Sequence, residues 1–295
     1  MAEPRFALDR REVRRSFDRA AAAYDAAVRL QAEVRAQLLE RLDYVTLDPK
    51  VVVDLGCGTG HSTRALKDRY PRARVVAIDL AEGMLREARR RRSWLRRFDR
   101  VCADARRLPL ADGSVDLLFS NLMLQWCPEL DAAFAEFRRV LRPRGLLNFT
   151  TFGPDTLFEL REAWAAADGG VHVNAFTDMH DLGEGLVRAG LAEPVLDVER
   201  MQVGFPDALA LMRDLKAIGA HNANAARTRG LTGRGRLAAM QAAYEHRRRD
   251  GVLPVTYEIV FGQAWGPAAR APVRGRRGGE FKFDVAAIGR RTAGP

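Results

Sequence analysis

Through residues 9–43 the apolar positions fall at helical spacing, with Phe17, Ala20, Tyr24 and Val28 in one series and Val34, Leu38 and Leu42 in another. Charged residues fill the gaps, so this segment predicts helices that lay one face on something larger. From residue 50 the pattern changes. Short apolar runs at 51–55, 75–78, 101–103, 115–119 and 146–150 alternate with helical stretches near 61–69, 82–94 and 129–141. Strands that alternate with helices predict an α/β fold, Rossmann-like, with a mostly parallel sheet covered by helices on both faces. Arg142, Pro143, Arg144 and Gly145 predict a turn before the fifth strand, because proline ends a helix and glycine permits the reversal.

Beyond that turn the alternation loosens. Residues 155–166, 178–189, 207–220 and 235–249 read as helices, and 195–203 and 255–265 read as strands, which brings the expected sheet to seven. The organisation expected is an N-terminal helical lid (1–45), a core (46–203), a helical cap over the substrate (204–250), a last core strand (251–265) and a basic linker and tail (266–295). The Gly/Pro/Arg-rich stretch 266–280 reads as a linker, with a short extended piece at 281–285.

The 295 residues are 47% hydrophobic and 29% charged, which excludes a disordered or fibrous chain. No apolar run approaches the roughly 20 residues of a membrane helix, and the charged N-terminus shows no secretory signal. Cys57, Cys102 and Cys127 lie far apart with no C-x-x-C pair, so a reduced cytoplasm is expected and a zinc site is not. Lys and Arg number 48 against 38 Asp and Glu, a formal charge of +10. Such a surface attracts acidic macromolecules. Nucleic acid is the less favoured of these, since no helix-turn-helix, zinc spacing or RNP-like strand is visible.

The densest chemistry is VVVDLGCGTG at 51–60, which places Asp54, Gly56, Cys57, Gly58 and Gly60 after a strand and before a helix. Glycines there let the backbone turn sharply and approach a ligand. The spacing is G-x-G-x-G, not the G-x-G-x-x-G of dinucleotide sites. The second strand ends at Asp79 and Leu80, where a carboxylate can take both hydroxyls of a ribose, and the third leads to Asp104 and Ala105, where an adenine amino group can donate. In an open parallel sheet these strand ends converge on one crevice.

This constellation resembles the class I S-adenosylmethionine-dependent methyltransferases over about residues 50–152, including LPLADGSVDLLFS at 108–120 and RRVLRPRGLL at 138–147. A cationic sulfonium and an amino acid in place of a pyrophosphate suit a turn flanked by acids. SFDRAAAAYD (16–25), SNLMLQWCPEL (120–130), LMRDLKAIGAHNA (211–223) and TYEIVFGQAW (256–265) are further similar to the BioC family, malonyl-acyl-carrier-protein O-methyltransferases of biotin synthesis.

That resemblance implies S-adenosylmethionine as methyl donor, an acidic acyl carrier protein bearing malonyl (or coenzyme A) as partner, and no metal. The acceptor carboxylate is ionised at neutral pH, so no catalytic base is expected. It implies further that Tyr24 covers the cofactor, Met84 rests on adenine and Asn121 meets the methionine part. Trp126 is expected to wall the acceptor pocket. Lys216 and His221 are candidates for holding the acceptor carboxylate, and Arg213, Arg227, Arg229 and Arg234 for gripping the carrier.

Rival expectations share the fold. FGPDTLFELR (152–161) and DLGEGLVRAG (181–190) also resemble the complex I assembly factor that hydroxylates a protein arginine. A methyltransferase for another small carboxylate or a quinone precursor uses the same core, and a scaffold without cofactor would have lost the acids that are present here.

Overall fold

The computed structural model describes residues 8–92, 94, 96–168, 170–220 and 233–267. Five strands come first: β1 (Val51–Leu55), β2 (Arg74–Asp79), β3 (Asp99–Cys102), β4 (Val115–Ser120) and β5 (Leu141–Phe152). β6 (Ala192–Phe205) and β7 (Leu253–Trp265) complete one seven-stranded sheet of order β3-β2-β1-β4-β5-β7-β6. The first five strands are parallel, and β7 enters antiparallel between β5 and β6. Strand order reverses between β1 and β4, so their carboxyl ends open a crevice there.

Nine α-helices surround the sheet among the described residues: α1 (Arg10–Ala20), α2 (Arg29–Glu40), α3 (His61–Arg69), α4 (Glu82–Arg90), α5 (Leu130–Val140), α6 (Phe158–Ala167), α7 (Met179–Arg188), α8 (Ala208–Ala217) and α9 (Arg234–Glu245). Alternate strand residues feed two cores. Val52, Val75, Leu117 and Leu146 face Val34 and Leu38 of α2, Leu66 of α3 and Trp164 of α6. Val53, Val76, Leu118 and Leu147 face Phe134 and Phe137 of α5 and Leu182 and Leu186 of α7. Asn148, fully buried on β5, donates to the Leu38 carbonyl at 3.1 Å and so ties α2 to the sheet centre.

Three expectations shift. The turn expected at 142–145 is part of β5, which starts at Leu141 opposite Val115 and resumes regular pairing at Leu146 opposite Leu117. Arg144 absorbs the irregularity at φ 61°. α4 ends at Arg90, short of 94, and β6 runs longer than 195–203 because it pairs with β7 as far as Phe205 opposite Leu253. In the expected cap, α8 reaches the crevice, whereas α9 buries Met240 and Tyr244, the Tyr244 hydroxyl donating to the Pro254 carbonyl at 2.9 Å. The tail beyond 267, with the expected piece at 281–285, lies outside the described residues.

Candidate functional site

At the end of β1 the chain turns through Gly56 and Gly60, at φ +71° and +85°. A Cβ on Gly56 would lie 2.3 Å from the Met123 side chain, and one on Gly60 would lie 2.8 Å from Ala88 Cβ. These glycines therefore let the loop after β4 and helix α4 close onto the turn. The turn's amides are bonded inward. Gly56 and Cys57 N–H both donate to the Ile78 carbonyl, at 2.8 and 3.0 Å, and Gly58 N–H donates to Asp79 Oδ2 at 2.9 Å. A pyrophosphate would need such amides free.

Asp79 is the pivot. Its Oδ1 accepts from Ala81 N–H at 2.8 Å, and burial raises its carboxyl to about 6 against these backbone donors. Each oxygen holds one N–H, which leaves acceptor capacity for a ligand. Asp79 borders a chamber at the crevice together with Gly56, Gly58, Leu80, Met84, Asp104, Ala105, Asn121 and Tyr24. Asp54, Cys57 and Gly60 are not brought to that wall. Asp54 is buried behind the turn and accepts from Thr63 Oγ1 at 2.5 Å, with burial raising it to about 7. Cys57 borders a smaller cavity beside the turn, and Gly60 serves helix packing.

The sequence-stretch expected to be a lid crosses the same chamber. Ser16 Oγ donates to the Gly219 carbonyl after α8 at 3.0 Å, and Asp18 Oδ1 accepts from Gly83 N–H at the start of α4 at 2.7 Å. Asp25, next to Tyr24, accepts from Thr59 Oγ1 at 2.6 Å and pairs with Arg91, and His61 Nε2 lies 3.2 Å away. Burial raises Asp25, but Thr59 and Arg91 outweigh it and hold the carboxyl below its ordinary value. Arg10 reaches from α1 to Asp104, which Arg106 also holds at 3.1 Å. An adenine amino group would meet Arg10 as a competitor for that carboxylate. The chamber is correspondingly narrow, 120 Å³.

A second chamber of 390 Å³ adjoins it. Gln31, Trp126, Phe152, Ile218 and Ala220 border both and form the seam between them. Arg29, His172, Asn174, Asp214 and Tyr257 stand on the second chamber's other walls. His172 stacks on Trp164 at 3.8 Å and contacts Asp168 at 2.7 Å, which fixes the imidazole. Trp126 meets Phe17 of α1 edge to face at 5.2 Å. Asn121 is a strut: its Nδ2 donates to the Gln31 carbonyl at 3.2 Å and its Oδ1 accepts from Thr150 at 2.9 Å.

Lys216 and Arg213 are exposed on α8 and border neither chamber, while their neighbours Asp214 and Leu215 face the second one. Arg234, at the start of α9, is exposed and borders neither chamber. His221, Arg227 and Arg229 lie outside the described residues. Gln31, His172 and Asn174 fell in no motif and Phe152 only opens the FGPDTLFELR stretch; they come from α2, the end of β5 and the loop before α7, and only the fold gathers them. Among the described residues, no cluster of three or more His, Cys, Asp or Glu is placed to hold a metal.

A sheet of this order, with a glycine turn and a carboxylate at the switch point, defines a class I methyltransferase. Residues 53–149 match a family model described as a methyltransferase domain. A methyltransferase of Thermotoga maritima dependent on S-adenosylmethionine shares the fold at TM-score 0.53 and 16% identity, over 86% of this chain and 99% of that one. So does the cyclase SpnF, at TM-score 0.51 and 21% identity over 80% and 81%. The chain is 55% identical over 276 residues to a malonyl-acyl-carrier-protein O-methyltransferase of Methylovorus sp. (strain MP688), covering 92% of this chain and 93% of the relative. It belongs to that O-methyltransferase family.

Proposed function

We propose that this protein transfers the methyl group of S-adenosylmethionine to the free carboxylate of a malonyl thioester on acyl carrier protein, forming a methyl ester that primes biotin synthesis. The observation that carries this reading is the pair of chambers meeting at one seam, in a chain 55% identical to a relative named for that activity. That relative also favours methyl transfer over the arginine hydroxylase reading.

The residues of the first chamber fit the donor. S-adenosylmethionine, when bound, supplies an electrophilic methyl on a cationic sulfur. Asp79 takes the ribose hydroxyls, Leu80, Met84 and Ala105 surround the base, and Asp104 receives its amino group once Arg10 withdraws. Tyr24 offers a ring face to the cation, a contact of about 0.5–2 kcal/mol. The inward-bonded turn suits a ligand without phosphate at that point.

At the seam the chain's task is positioning. The acceptor oxygen forms a bond to the methyl carbon as the carbon–sulfur bond breaks, its electron pair going to sulfur, and no proton moves. α1 and the Tyr24 segment exclude water, and Phe152 and Ile218 keep the seam apolar. The +10 charge steers an acidic carrier toward the enzyme. No described helix is long and apolar enough to cross a membrane, and three free cysteines suit a reducing cytoplasm.

The test is incubation with methyl-labelled S-adenosylmethionine and malonyl, succinyl or acetyl carrier protein. Base-labile label on malonyl and none on acetyl is expected. Absence of label on malonyl would overturn the reading.

A further inference from the structure

We infer that Gln31 and Trp126 form the acceptor clamp, two neutral N–H donors that hold the substrate carboxylate at the seam; this rests on the methyl-transfer reading above. Gln31 comes from α2 and Trp126 from the loop after β4, and both border the two chambers. The Gln31 Oε1 is fully buried with no hydrogen-bond partner. Among the described residues its Nε2 donates to nothing, and neither does the Trp126 indole Nε1–H. A buried carboxamide oxygen left unpaired is destabilising, so its retention points to a ligand that changes what the carboxamide meets. Oxygen and nitrogen of a carboxamide exchange by a flip, so either end can face the ligand.

The setting explains why a glutamine stands here. Among the described residues, none shared by the chambers is charged. A lysine or arginine on the attacking oxygen would bind the carboxylate tightly and withdraw its electron density. A carboxamide and an indole orient it and leave it nucleophilic. Asn121 anchors the Gln31 backbone, and Phe17 packs on the Trp126 ring, so both donors are fixed before substrate arrives. Lys216, the cation expected from sequence, lies exposed on α8 and away from both chambers.

Three variants test the clamp: Gln31→Leu, Gln31→Glu and Trp126→Phe. Gln31→Leu and Trp126→Phe should each lose roughly 10- to 100-fold in kcat/KM for malonyl carrier protein. Affinity for S-adenosylhomocysteine should stay within about threefold of wild type. By calorimetry without turnover, the S-adenosylhomocysteine complex should prefer malonyl- to acetyl-coenzyme A, and Gln31→Leu should abolish that preference. Gln31→Glu sets a carboxylate against the substrate's own, so its rate should rise as the pH falls, where wild type and Gln31→Leu do not.

Arg29, His172, Asp214 and Tyr257 border the second chamber, Arg10, Tyr24, Asp79, Asp104 and Arg106 the first, and Arg35 and His61 the cavity behind Gln31. All are kept in the three profiles, which isolates the introduced carboxyl. Retention of kcat/KM by Gln31→Leu within threefold, or an equal loss of S-adenosylhomocysteine affinity, overturns the clamp. An inert wild type would instead sink the methyl-transfer reading itself.

Discussion

Replacing Asp79 by asparagine alters one atom of the pivot and leaves its size unchanged. In the native side chain Oδ2 accepts from Gly58 N–H at 2.9 Å and Oδ1 from Ala81 N–H at 2.8 Å. A carboxamide satisfies one of these donors and turns an N–H₂ against the other. One ribose hydroxyl also loses a charged acceptor, a bond worth about 1.5–3 kcal/mol. With the donor conflict the sum is about 3 kcal/mol, or roughly 100-fold in the dissociation constant for S-adenosylmethionine. Titration calorimetry measures it, with a thermal melt to confirm folding. Burial holds Asp79 at about 6, so wild-type affinity should weaken as pH falls below that value. At pH 5 roughly a tenth of the carboxyl is ionised and affinity should be about tenfold lower. Asp79→Asn cannot ionise there and should bind with little pH dependence. Binding by the variant within threefold of wild type, or a flat wild-type profile from pH 7.5 to about 5, refutes the assignment of Asp79 to the ribose.

Asp54 tests the turn from behind. Its folded value near 7 exceeds the unfolded 3.8, so the fold holds the extra proton and loses stability as pH rises from about 4 to 7. Asp54→Asn should flatten that slope in thermal melts, with a gain of up to about 3–4 kcal/mol at neutral pH; an unchanged slope counts against it. Asp25→Ala opens the latch to Thr59 and Arg91 and should weaken cofactor binding by roughly 3- to 10-fold, read by calorimetry. Asp25 is held below its ordinary value, so its latch outlasts Asp79 as acid is added, and the affinity loss near pH 6 belongs to Asp79. Arg10→Ala frees Asp104 from a partly exposed ion pair and should tighten cofactor binding by up to about fivefold; weaker binding would show Arg10 to be a ligand. Raising salt should increase KM for malonyl carrier protein more than for malonyl-coenzyme A, and equal effects would remove the basic surface from recognition.

The chamber proposed for the donor was legible because its residues are adjacent in sequence to the strands that carry them. The turn at 56–60, Asp79 and Asp104 lie at or just past the carboxyl ends of β1, β2 and β3, and parallel topology brings such positions together whatever lies between. Legibility failed where a residue's role depends on what packs behind it. Asp54 belongs to the glycine motif yet faces Thr63, not the chamber. The proposed acceptor half was opaque for a different reason: Gln31, Phe152 and the pair His172 and Asn174 arrive from α2, β5 and the loop before α7, without spacing that relates the three. Lys216 looked suited to hold an anion by charge, but the helical phase of α8 turns Asp214 and Leu215 to the chamber and leaves Lys216 outside.

The fold alone does not choose the chemistry, since a cyclase shares it. What distinguishes methyl transfer to a carboxylate is the fate of charge: a sulfonium cation and a carboxylate anion meet, and both charges vanish as the bond forms. Water solvates the separated ions better than the transition state, so a seam lined by Trp126, Phe152 and Ile218 opposes that ground state and favours charge annihilation. A fixed cation at the same place would reverse the advantage, because it stabilises the anion most before reaction. The described seam, without charge, and the chain's net positive charge are thus parts of one arrangement. On the proposed reading, long-range attraction brings an acidic carrier in through water, and at the point of transfer the described seam residues present no charge, leaving two neutral donors to set the angle of attack.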